Sequence, residues 1–158
     1  MTVFIFTLLA LILGAVYNYQ KKNIPLIENL IVFFIVSMLL MNGSTILWLN
    51  LNFIKVSVSI EKYIAFIICR NIVLPLLVLL WLNLNEIAKT FQRRVIIFIM
   101  VLLVSMGIEI LQRLLGMLIY NKWNAIFSVM LFCANLIISF YVWKIVNKQE
   151  RVKGVGSV

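Results

Sequence analysis

Apolar residues fall in five long blocks along this chain, broken by short polar segments rather than alternating with them. The blocks are Val3–Tyr17, Leu26–Leu49, Tyr63–Leu82, Val95–Leu118 and Trp123–Val146. Crossing a bilayer as a helix takes roughly 20 apolar residues, and each block is long enough or nearly so. The pattern predicts an all-α integral membrane bundle of five transmembrane helices. They form a single domain over residues 1–146, followed by a basic tail at 147–158. The first block has no basic residues before it and no small-residue cleavage site after it, so it reads as a retained helix rather than a signal peptide.

Composition makes the membrane reading firm. Of 158 residues, 65% are hydrophobic and only 12% charged, where a soluble domain has about a quarter charged. The mean hydropathy is +1.13. Lys21, Lys22, Lys89, Arg93, Arg94, Lys144, Lys148, Arg151 and Lys153 fall on one side of the predicted bundle, and Lys55, Lys62 and Lys122 on the other. Lys and Arg collect in cytoplasmic loops, so the N-terminus is expected outside and the tail in the cytoplasm. The net charge of +9 is then topology and contact with anionic membrane lipids, not a nucleic-acid interface.

The chain has no His and no Asp. That removes Ser-His-Asp and Cys-His nucleophilic arrangements and two-histidine zinc sites. Cys69 and Cys133, both within apolar blocks, make a poor metal set. No cofactor, metal or catalytic constellation is expected, and the chain is read as non-enzymatic, the enzymatic alternative being a lipid-modifying protein with Glu109 as general acid or base.

Chemistry concentrates in the fourth block. At about 100° per residue, Ser105, Glu109, Gln112, Arg113 and Gly116 share roughly a quarter of the helix circumference. A charge in hydrocarbon survives only facing protein or water and with a partner. At 1.5 Å per residue, Arg70 lies about 10 Å inside the third block, with Glu109 about 14 Å and Arg113 about 8 Å inside the fourth, from the same side. The count predicts neighbouring third and fourth helices joined by an Arg70–Glu109 contact, with Arg113 left over. Two arginines against one glutamate make a net-positive site suited to an anionic lipid-like or peptide ligand, or else an ion network that fixes helix order. Asn71 adjoins Arg70, and Pro75 frees the Asn71 carbonyl and kinks the third helix.

Other polar positions read as packing. These are Asn124, Ser128, Asn135 and Ser139 on the fifth block, Thr7, Gly14 and Asn18 on the first, and Ser37 and Ser44 on the second. Glu28 reads as interfacial. Trp48, Trp81, Trp123 and Trp143 sit near block ends, as membrane anchors do. The stretch Leu51–Lys62 fits either an interfacial helix or an extended loop.

Gly107-Ile-Glu109, Gly116, Tyr120-Asn-Lys-Trp123 and Ser128 resemble a pattern in a family of small, uncharacterised multi-pass membrane proteins of endospore-forming Firmicutes. That resemblance implies a bacterial plasma membrane and no particular activity. Asn71…Pro75 and Ser105…Glu109…Gln112 are similar to VanZ-like proteins, although Tyr120-Asn-Lys-Trp123 stands where acidic residues are expected in those. The alternative to a binding or accessory protein is an oligomeric small transporter or channel subunit, with Glu109 as its coupling carboxylate. Either reading allows a homo-oligomer or a membrane-protein partner.

Overall fold

A computed structural model describes residues 1–20, 24–46 and 51–155, with the backbone alone beyond residue 147. About 81% of the chain is helical, and five helical stretches are long and apolar enough to cross a membrane. Helices α1 (Thr2–Tyr19) and α2 (Leu26–Thr45) are the first two spans. The third is composite: α3 (Ile60–Ile68), a π-helical turn (Cys69–Val73) and α4 (Leu74–Ile87) run on without a break. Helix α5 (Phe91–Leu114) is the fourth span, and α6 (Ala125–Val155) the fifth.

The third span is the centre of the bundle. Of its most apolar window 67% is buried, against 11–28% in the other four spans. Helix α1 lies along α3 and α4, α2 along α4 and α6, and α5 packs on both α4 and α6. The outer faces stay apolar: Phe4, Leu11, Met38, Leu103 and Met130 are each more than 60% exposed. Such a belt has no stable place in water and matches lipid.

Two short strands close one end. β1 (Ile54–Val56) pairs antiparallel with β2 (Leu118–Tyr120), with Lys55 opposite Ile119. The loops after the second and fourth spans therefore meet, as an even number of crossings between them requires. Leu51–Lys62 is extended through the strand and becomes helical only at Ile60.

Several boundaries differ from those read in the sequence. The fourth helix stops at Leu114, four residues short of the expected Leu118. Gly116 is the cause: at φ +65° it supplies the left-handed residue that ends a helix. Gly116 N then donates to Arg113 O and Met117 N to Gln112 O, both at 2.9 Å. The apolar residues beyond it become a strand. The last helix continues to Val155, so most of the expected tail extends the span. Trp81 is not an anchor: it is 5% exposed and packed between Phe98 and Phe140, at ring distances of 6.1 and 6.3 Å. Glu28, expected at an interface, is 2% exposed. Thr7 and Asn18 are exposed rather than packed. Trp48, Lys21 and Lys22 lie outside the described residues, as do the side chains of Ser44, Lys148, Arg151 and Lys153.

Candidate functional site

Pro75 shapes the local backbone on which the site is built. Its ring lacks an N–H and crowds the carbonyl four residues back. One wider turn relieves the crowding: Leu74 N donates to Cys69 O, five residues earlier, and the π turn Cys69–Val73 results. The freed Asn71 carbonyl accepts instead from Ser37 Oγ on α2, at 3.4 Å. Arg70 sits within this turn.

Its side chain enters a partly open cavity of about 80 Å³ beneath the two strands. Ile54 and Val56 of β1 and Leu118 of β2 form the roof; Leu40, Phe66 and Leu74 wall one side. Helix α5 contributes Ser105, Glu109 and Gln112, and the α6 side contributes Trp123, Ser128 and Phe132. Four of the six residues expected to form a site, Arg70, Glu109, Gln112 and Ser105, thus share one cavity.

The expected charge pairing is not there. Arg70 and Glu109 make no ion pair within 4.0 Å. Arg70 Nη2 donates to the Met41 carbonyl on α2, and the guanidinium carbon stands 5.2 Å from the Phe66 ring centre. Its Nε is buried with no acceptor among the described residues, and the residue as a whole is 7% exposed. An orphaned buried donor costs about 1–3 kcal/mol, a cost that an acceptor brought to this guanidinium would relieve.

Glu109 has a different partner, Ser128 Oγ on α6, which donates to its carboxylate. Ser128 is 2% exposed. Its oxygen accepts from Trp123 Nε1 at 2.7 Å and lies 3.4 Å from Tyr120 Oη. One hydroxyl therefore ties together the fourth span, the fifth span and the closing strand. Gln112 Nε2 reaches Cys69 Sγ at 2.7 Å, linking α5 to the π turn. Ser105 is satisfied within its own helix, by Val101 O at 2.9 Å.

Arg113 leaves the cavity. It is exposed, and its guanidinium carbon stacks 4.3 Å from the Tyr120 ring centre, a cation–π contact. Asn71 offers its carbonyl to Ser37 and does not line the cavity. The lining therefore carries one arginine and one glutamate rather than the net-positive trio expected from sequence. The residues that reading ranked as packing or anchors, Ser128 and Trp123, are the ones that hold Glu109. A signal for them existed: Glu109, Tyr120, Trp123 and Ser128 all belong to the pattern on which the resemblance rested, and they form one hydrogen-bonded cluster.

A second polar layer, invisible to depth counting, lies toward the opposite end. Asn83 Nδ2 donates to Asn29 Oδ1 at 3.0 Å, both residues being almost fully buried. Asn147 Nδ2 is 3.5 Å from Glu28 Oε2. Of the other stripe residues, Asn135 and Ser139 bond to carbonyls of their own helix, as packing positions do, and Asn124 Oδ1 accepts from Phe127 N at 3.1 Å. Among the described residues no group of three His, Cys, Asp or Glu side chains could hold a metal ion.

No family model, no curated protein and no solved structure matches this chain.

Proposed function

We propose that this chain is a non-enzymatic binding or accessory protein of a bacterial plasma membrane. Its ligand is an anionic amphiphile, lipid-like or peptide, seated in the cavity beneath the strands. The observation that carries this reading is Arg70 on the wall of a largely apolar cavity, with its Nε–H buried and without an acceptor among the described residues. A carboxylate or phosphate oxygen supplies the acceptor that the protein withholds, with charge assistance. Glu109 opposes an anion less than its charge suggests, because Ser128 already donates to it.

The size of the cavity limits what enters. About 80 Å³ is less than the roughly 150 Å³ that takes up one benzene. It admits a small headgroup or a few carbons, with the rest of the chain running out through the mouth.

The test is thermal unfolding in neutral detergent with decanoate or decyltrimethylammonium added. Decanoate should raise the midpoint of the wild type but not of Arg70→Met, by the mass-action stabilisation of a folded-state ligand. Equal shifts in both proteins, or an equal shift from the cation, would remove the proposal.

The second reading, an oligomeric transporter or channel subunit coupled through Glu109, draws on the bonded chain from Glu109 through Ser128 to Tyr120. It requires Glu109→Gln to abolish proton-linked flux in vesicles while leaving the fold intact. Unchanged flux excludes it.

A further inference from the structure

The opposite end of the bundle holds a second, larger pocket. The end of α4, the start of α5 and the stretch of α6 from Phe140 to Asn147 converge on an open-sided space of about 370 Å³, within the 300–1,000 Å³ of typical ligand sites. Its lining includes Asn85 and Glu86 from α4, Arg94 from α5, and Trp143, Lys144 and Asn147 from α6.

Three features give it a chemistry. First, the turn from Ala88 to Thr90 is short and fixed. Thr90 caps α5 by accepting from Arg93 N, and Arg94 Nε donates to Ala88 O at 3.1 Å. That bond anchors the guanidinium by one nitrogen, and its two terminal nitrogens find no acceptor among the described residues. Second, Lys144 is exposed and makes no ion pair among the described residues, so the lining carries two cations and one carboxylate, Glu86, while the buried Glu28 carboxylate is held by Asn147. Third, Trp143 packs on Phe140 with ring centres 5.8 Å apart and planes tilted by 47°, while its indole Nε1 is buried without an acceptor among the described residues. Planar guanidinium and ammonium together match the oxygens of a phosphate.

We propose that this pocket binds the phosphodiester headgroup of an anionic phospholipid, with Arg94 and Lys144 on the phosphate oxygens and Trp143 at the glycerol level. A lipid is favoured over free phosphate by position. The pocket opens where three spans end, and on α6 Tyr141 and Ile145, 60% and 61% exposed, continue from its rim as an apolar face for acyl chains. The Arg70 cavity is at the other end of the bundle, so neither assignment depends on the other.

The test uses the full chain, delipidated in neutral detergent. Native mass spectrometry would follow titration with short-chain phosphatidylglycerol, with phosphatidylcholine of equal chain length, and with glycerol phosphate as the headgroup alone. The expected result is saturation at one phosphatidylglycerol per protein, with phosphatidylcholine at least tenfold weaker and glycerol phosphate weaker still. Lys144→Gln, at an exposed position that cannot unfold the bundle, should weaken phosphatidylglycerol about fivefold, and Arg94→Gln with Lys144→Gln more than tenfold. Lys89→Gln with Arg93→Gln removes the same charge at the same end but outside the pocket, and should leave affinity within twofold. Equal loss in that control would reduce the effect to diffuse charge and overturn the site. Equal binding of the two lipids would also overturn it. Glycerol phosphate binding as tightly as phosphatidylglycerol would overturn the lipid assignment in favour of a soluble phosphate. Arg70→Met should leave all three affinities unchanged.

Discussion

Replacing Ser128 with Ala removes one oxygen atom and little volume, yet it should be among the more damaging substitutions in the protein. The hydroxyl donates to the Glu109 carboxylate and accepts from Trp123 Nε1. A hydrogen bond to a charged group contributes about 1.5–3 kcal/mol, and a half-buried indole N–H left unpaired falls at the low end of the roughly 1–3 kcal/mol that a buried one costs, about 1 kcal/mol. Glu109 is half-buried rather than sealed, so water partly replaces its lost donor. A total near 3 kcal/mol is therefore expected for Ser128→Ala. The decisive quantity is the coupling. Glu109→Leu removes the carboxylate that Ser128 serves, so Ser128→Ala should cost about 1.5 kcal/mol less in that background. Reversible unfolding in bicelles by steric trapping measures all four corners of the cycle. Additivity to within about 0.5 kcal/mol would mean that the two side chains do not act together, and the cluster would lose its role in holding the site.

Gly116→Ala should destabilise by about 1–2 kcal/mol, the cost of the left-handed backbone for a residue with a Cβ. That Cβ would also stand 3.0 Å from Lys62 Nζ, a flexible end that can move aside. Gly107→Ala, where an added Cβ meets nothing within 4 Å, should instead stabilise by up to about 1 kcal/mol; the same unfolding assay separates the two signs. Trp81→Ala should cost about 3–5 kcal/mol as a core truncation, and a loss under about 1 kcal/mol would return Trp81 to an interfacial role. For topology, a cysteine placed at Lys122 should react with an impermeant maleimide on intact cells, and one at Lys89 only after permeabilisation. The reverse pattern would invert the proposed orientation.

The five spans and their shared ends were legible because apolar block length and lipid thickness are the same constraint. Depth counting also worked along the bundle axis: Arg70 and Glu109 do reach one cavity. It failed around the axis. The π turn adds a residue to the helical register next to Arg70, which meets the Met41 carbonyl on α2 instead of a carboxylate on α5. No periodicity in the sequence announces such a turn, although Pro75 was its cue. Trp81 was misread for a related reason. The third span runs to Ile87, which places Trp81 about 9 Å inside its end rather than at it. Leu118–Tyr120 looked like more helix because apolar content alone does not distinguish a strand from a helix end. Only Gly116 marked the change. Ser128 was set aside because a lone serine on an apolar helix is usually a packing residue, and its role depends on Glu109 and Trp123 arriving from other elements.

A ligand held in the Arg70 cavity by its anionic group would come out of the membrane with the protein. The most direct measurement is native mass spectrometry of the wild type and Arg70→Met, each released from its own membrane into neutral detergent and compared for non-covalent adducts. A discrete anionic adduct is expected on the wild type, displaced by decanoate and absent from a folded Arg70→Met. An adduct-free wild type, or the same adduct on both proteins, would contradict it.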